Sequence, residues 1–109
     1  ILQHIIDSER IFAYRALRFA RLDSINLPGY EENDYAAVAN ASSRTIEELI
    51  TEYKLVKLSS ILLFKSFSEK MLLNIGQANN APVSVRAIGY IISGHEIHHI
   101  NIIKERYLK

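Results

Sequence analysis

An all-α helical bundle is the fold class this sequence predicts, and three observations predict it. Apolar residues recur at three- and four-residue steps through three long segments, at the start, in the middle and at the end of the chain. The second and third of these segments each open on a good capping residue, Thr45 and Ser84. No segment alternates apolar and polar residues as a half-buried strand does, and no internal repeat or low-complexity tract is visible.

The first segment reads as a helix from Ile1 to about Arg21, with Leu2, Ile6, Ala13, Leu17 and Ala20 on one face. At about 100° per residue, His4 shares another stripe with Asp7, Ser8, Ile11, Arg15 and Arg18, a composition suited either to lining a polar cavity or to facing solvent. The chain starts inside this amphipathic pattern with no cap before it, which predicts a further N-terminal element ahead of Ile1. Leu27-Pro28-Gly29-Tyr30 puts Pro and Gly at the two central positions of a type II turn, so the helix should end before it. The acidic run Glu31–Asp34 then leads into a short helix over Tyr35–Ala39, with negative charge at its positive end. This stretch is a long crossover with little core of its own.

Thr45-Ile46-Glu47-Glu48 fits a capping box, in which Thr45 covers a free amide and Glu48 reaches back to the cap. The helix that follows has a seam of Ile46, Leu49, Tyr53, Val56, Ser60, Leu63 and Phe67, read as core. Gly76–Pro82 reads as a loop by composition. Ser84 caps a last helix that runs to the C-terminus with Ile88, Ile91, His95, His99 and Ile102 inward.

The totals describe one domain over residues 1–109: 49% of residues are hydrophobic and 23% charged. A net charge of +1 gives no electrostatic reason to expect a nucleic acid or an anionic membrane as partner. With no cysteine, neither a disulfide nor a thiolate metal site is available, and any metal must be bound by nitrogen and oxygen. The apolar stretches are too short for a membrane span and no signal peptide is recognisable, so the expected location is the cytoplasm.

Four histidines are present, and His95 and His99 stand one helical turn apart in the middle of an apolar stripe. That spacing aims two imidazoles at one point, the geometry a Zn²⁺ or Ni²⁺ ion takes from two of its ligands. Alternatively, each ring hydrogen-bonds a neighbouring helix, since buried imidazole nitrogens need partners of some kind. His98 projects about 100° away from His99 and reads as a rim residue, which leaves His4 as the remaining histidine. Asp7, near His4 on the first helix, and Glu96 are the candidate proton handlers; either reads equally as a surface carboxylate or one that orients a ligand.

His95-Glu96-Ile97-His98-His99 also matches H-E-x-x-H of zinc proteases, with Glu96 as general base. The continuation disfavours that reading. Ile102 stands where the metzincin type has glycine, Glu105 where it has its third ligand, and ten residues after His99 leave no room for a distant glutamate.

Taken in order, His4–Arg15, Leu27-Pro28-Gly29-Tyr30, Ser84–Ala87 and Gly94–His99 resemble the DinB-like (damage-inducible) family of metal-binding four-helix bundles, over essentially the whole chain. The resemblance implies that His4, from the second bundle helix, and His95 and His99, from the last, bind a divalent metal, zinc or nickel. It also implies that helices two to four are present here without the first bundle helix, which leaves an apolar seam and favours a homodimer. For activity it implies a metal-dependent enzyme acting on a small molecule, a thiol S-transferase or a hydrolase, with a low-molecular-weight thiol as partner. The alternative is a non-catalytic, metal-stabilised binding or stress-response module.

Overall fold

The structure is a computed structural model that describes residues 2–107. In chain order it runs α1 (Leu2–Ala20), α2 (Glu32–Val38), a 3-10 turn (Ala41–Ser43), α3 (Ile46–Lys65), α4 (Glu69–Leu72), strands β1 (Ile75–Ala78) and β2 (Ala81–Ser84), and α5 (Val85–Tyr107). The bundle expected from the sequence is formed by α1, α3 and α5. The expected helix start at Ile1, the run beyond Tyr107 and the inward place of Ile102 lie outside the described residues.

α1 is the central helix. It packs closely on α3 and on α5, which meet each other through longer side chains, Tyr53 and Lys57 reaching Glu96. Ile6 meets Leu49 and Val56 near the starts of α1 and α3, whereas Phe19 shares a cluster with Leu63, Phe64 and Phe67 near their ends, so the two helices run parallel. α5 runs the other way: Val85 and Ile88 join Phe19 at one end, and His95 meets His4 at the other. Being flanked on two sides, α1 buries Ile5, Ile6, Ala16, Phe19 and Ala20 rather than one stripe, and the expected Leu2, Ala13 and Leu17 are only half-buried. Each large side chain fully buried in this way contributes about 1.5–3 kcal/mol.

Parallel neighbours need a long return connection, and that is what places a cover over the histidine end of the bundle. α1 stops at Ala20, close to the expected end near Arg21 and well before the Pro-Gly signal. Leu22 takes a left-handed φ of 63°, Asp23 N–H donates to Arg18 O (3.0 Å) and Leu22 N–H to Phe19 O (3.0 Å), a Schellman ending without its usual glycine. Asp23 also accepts from Ile25 N–H and pairs with Arg18 at 2.6 Å, and these bonds, the first most of all, hold its carboxyl below the usual range.

The expected type II turn at Pro28-Gly29 is not formed, because no glycine among the described residues has positive φ. Gly29 answers a need for space instead: a Cβ there would come 2.7 Å from Asn79 Oδ1. Leu27 just before it bridges in parallel to Ala78, with bonds Leu27 N–H to Gln77 O and Asn79 N–H to Leu27 O, which pins the crossover to the hairpin.

The hairpin itself corrects the sequence reading of Gly76–Pro82 as a loop and of a chain without strands. β1 and β2 pair antiparallel through a two-residue turn in which Asn79 and Asn80 have φ of 51° and 63°, a pattern that asparagine tolerates. Pro82 is admissible because β2 is an edge strand, and Gly76 is required because a Cβ would enter the Phe19 ring.

The caps of the long helices form as expected. Thr45 Oγ1 accepts from Glu48 N–H at 3.1 Å and Ser84 Oγ from Ala87 N–H at 3.0 Å. The Glu48 carboxylate, however, lies 3.9 Å from Arg44 Nε rather than reaching back to the cap. On α3, Leu49, Val56 and Ser60 are buried but Ile46 is exposed, and Phe67 enters the core from beyond the helix end. On α5, Ile92 is buried and Ile91 is 43% exposed, one residue off the expected stripe, since steps of four, three and four from Ile88 lead through Ile92 to His95 and His99. No described helix is long and apolar enough to cross a membrane.

Candidate metal centre

Antiparallel packing of α1 and α5 brings the first turn of one against the middle of the other, and there three imidazoles meet. His4, His95 and His99 each offer a ring nitrogen within 4.8 Å of the other two. His4 Nε2 lies 3.2 Å from His95 Nε2, and His99 Nε2 lies 3.1 Å from His95 Nε2. The rings stand edge to face, with centroids 4.4 Å to 5.0 Å apart, and the Phe12 ring closes one side of His95 at 5.9 Å.

Hydrogen bonds alone do not satisfy this arrangement. An imidazole nitrogen has one in-plane position, holding either a proton or a lone pair, so His95 Nε2 cannot serve two neighbours at once. A cation accepts a lone pair from all three. With metal–nitrogen bonds of about 2.0–2.1 Å, tetrahedral ligands stand about 3.3 Å apart, close to the two short separations here. The donor set therefore fits a divalent ion. Coordination through Nε2 leaves the proton on Nδ1, and His99 Nδ1 is buried without a protein partner.

The electrostatics agree with neutral rings. Burial, and after it the charge of His4, holds His95 below the ordinary histidine value; burial, then His95 and His4, does the same to His99. Imidazole must be neutral to offer its lone pair.

Beside His4 is a cavity of about 210 Å³, roofed by α2 and lined by Gln3, Asp7, Ser8, Tyr30 and Glu32 among others. The His4 stripe thus faces a cavity over its first two turns. Ile11, Arg15 and Arg18 line an adjoining one beneath Pro28 and Tyr30, where Arg15 donates to Pro28 O at 3.0 Å. Asp7 accepts from Gln3 Nε2 at 2.9 Å, Ser8 Oγ and Tyr30 Oη are 3.1 Å apart, and Glu32 Oε2 is 4.0 Å from His4 Nε2. Glu32, Gln3 and Tyr30 were not singled out from the sequence. Only the acidic run ahead of α2 signalled Glu32, since contact with His4 depends on how the crossover returns.

The other sequence candidates are divided between two sides of the bundle. Asp7 lies in the cavity with His4. Glu96 faces α3, where it takes hydrogen bonds from Tyr53 and from Lys57 Nζ at 2.6 Å; Lys57 also contacts the buried Glu9 at 2.7 Å. Burial, with Glu9 next, pushes the Glu96 carboxyl up. His98 is exposed, as its position on the helix required.

Among comparisons with known proteins, the family model described as DinB superfamily matches residues 1–103. No curated protein and no solved structure matches the chain.

Proposed function

The chain belongs to the DinB superfamily, and from that premise we propose that it is a divalent-metal-dependent enzyme acting on a small molecule, a thiol S-transferase or a hydrolase. His4, His95 and His99 are its metal ligands, and zinc or nickel suits their nitrogen donors. One observation carries this reading: His95 Nε2 lies within 3.2 Å of two further imidazole nitrogens, a contact that hydrogen bonding cannot satisfy, at the edge of a cavity open to a small molecule.

A bound divalent ion with a free position supplies Lewis acidity, which lowers the pKa of a thiol or water. The protein's own groups do the rest. Asp7 has one carboxylate oxygen fixed by Gln3 and the other available to hold a proton within the cavity. Tyr30 and Ser8 present hydroxyls on its wall, and α2 limits the access of water. Glu96, engaged by Tyr53 and Lys57, has a structural role joining α5 to α3.

The experiment is a panel of thiol transfers to electrophiles and of ester and amide hydrolyses, run with metal-loaded and metal-free protein. The enzyme reading expects at least one metal-dependent turnover that His95→Ala abolishes. Full metal occupancy with no turnover across the panel would leave the second reading. It is favoured by the fact that the three ligands come from two helices, so that an ion would join the first turn of α1 to α5 as a structural clasp in a non-catalytic module.

A homodimer is also part of the proposal. The groove left between α3 and α5 is about 390 Å³, lined by Ile61, Phe64, Ile92, Lys57 and Glu96, and Leu55, Leu58, Leu62, Ile97 and Ile100 are exposed on these two helices. Apolar side chains in that number on neighbouring elements favour association.

A further inference from the structure

We propose that the cavity beside the histidines selects ligands with a cationic or donor-rich tail and disfavours anionic ones. This rests on the three-histidine reading and specifies the chemical class of molecule that the same site takes. Two carboxylates, Asp7 and Glu32, line the cavity, and among the described residues no lysine or arginine does. They stand on different elements beside one imidazole: Asp7 follows His4 on α1, and Glu32 on α2 is 4.0 Å from His4 Nε2. A molecule that reaches the histidines therefore has a carboxylate on each side of its path.

Arg44, the basic group that reaches this arrangement through Gln3, is already committed elsewhere. Arg44 Nη1 donates to Glu52 at 2.5 Å, and its Nε is 3.9 Å from Glu48, so its charge is largely met before it reaches the cavity. What Arg44 does supply is orientation. Its Nη1 also donates to Gln3 Oε1 at 2.8 Å, and Gln3 Nε2 donates to Asp7 Oδ1 at 2.9 Å. This chain fixes the amide so that its N–H side faces Asp7, and it leaves Asp7 Oδ2 without a protein hydrogen bond among the described residues. A fixed acceptor with a free oxygen, in a cavity without a basic group, matches an ammonium or hydroxyl donor on the ligand. A carboxylate or phosphate tail lying between Asp7 and Glu32 would meet like charge there, a repulsion that opposes its attraction to the divalent ion and lowers its standing against a cationic tail. The alanines of the crossover, Ala36, Ala39 and Ala41, keep the opposite wall small and apolar.

The test uses cobalt(II)-loaded protein and three thiols of similar size: cysteamine, 2-mercaptoethanol and mercaptoacetate. Binding is read from the near-ultraviolet band of cobalt–sulfur contact, without reference to turnover. Intrinsic differences between the thiols cancel when the ratio of cysteamine to mercaptoacetate affinity is compared between the wild type and Asp7→Asn/Glu32→Gln. The expected result is a fall in that ratio of about tenfold or more, as the loss of two charges near the ligand tail requires. The Glu69→Gln variant on α4, far from the cavity, should keep the wild-type ratio. A ratio that falls by less than about threefold in the double variant overturns the proposal, and so does an equal fall in Glu69→Gln. If the double variant does not fold, Glu32→Gln alone on the exposed α2 carries the test, with a threefold fall required. Cobalt bound at one ion per chain with an unchanged ratio removes this inference and leaves the metal site standing; a failure of the wild type to bind cobalt removes both.

Discussion

At the residue scale, the account depends on where imidazole nitrogens point. His95 and His98 are three positions apart on one helix, yet only His95 faces α1, so the two should differ sharply on substitution. His95→Ala or His99→Ala is expected to abolish stoichiometric zinc binding while far-UV circular dichroism stays close to the wild type, and His98→Ala should leave affinity within a few-fold. Retention of full metal by either of the first two would remove the site. The pH dependence has a definite sign. Because burial lowers the proton affinity of His95 and His99, both rings stay neutral somewhat below about pH 6.5, and metal affinity should begin to fall only under that value. In the metal-free protein the same lowering means that the unfolded chain takes up more protons as pH drops through about 6.5, so folding stability also declines on the acid side. Titration calorimetry checks the affinity and chemical denaturation the stability, both between about pH 5 and pH 8; metal affinity constant across that interval contradicts histidine ligation. The histidine pair was legible because its spacing is local to one helix. Glu32 was not, since its approach to His4 is set by the path of twenty-odd intervening residues.

At the scale of elements, the three long helices could be read from period and caps because both signals lie within a few residues of each other. What the pattern missed were features decided by tertiary contact. The hairpin has only four residues in each strand and contains Gly76 and Pro82, which by themselves read as breakers; its turn works through two asparagines in the left-handed region and its strand is anchored on Leu27. The end of α1 fell where the periodic pattern stopped, but its ending was hidden for a related reason, since Leu22 adopts the conformation that glycine normally supplies. Burial along α1 departed from a single stripe because that helix has partners on two sides. Gly94 gives a prediction of this scale. It stands within α5 one residue before His95, with open space where a Cβ would be, so Gly94→Ala should raise stability by about 0.5–1 kcal/mol through helix propensity alone. Chemical denaturation measures it, and a loss of stability would show that the space is needed by something that the described chain does not contain.

At the scale of the whole molecule, one helix packs closely on two others that meet each other mainly through long side chains, and the two ends of the bundle differ in character. Toward the hairpin the core is closed by Phe19, Phe67, Val85 and Ile88; toward the histidines it opens into cavities under the crossover. A closed end opposite an open one suits a site that must admit a ligand, and the long return between parallel helices explains why the cover is built from α2. The apolar side chains flanking the α3–α5 groove predict self-association. Sedimentation equilibrium should show a dimer at micromolar concentration that Leu58→Glu/Ile61→Glu weakens at least tenfold, whereas a monomer at all concentrations would refute that part of the proposal.

The central claim is that three imidazoles share one ion. X-ray absorption at the metal edge, on protein purified without added metal and then exposed to one equivalent of zinc or nickel, tests it most directly. The account predicts one ion per chain with nitrogen ligands at about 2.0–2.1 Å and the scattering pattern of three histidines, lost in His4→Ala. An ion surrounded only by oxygen, or no bound ion at all, would contradict it.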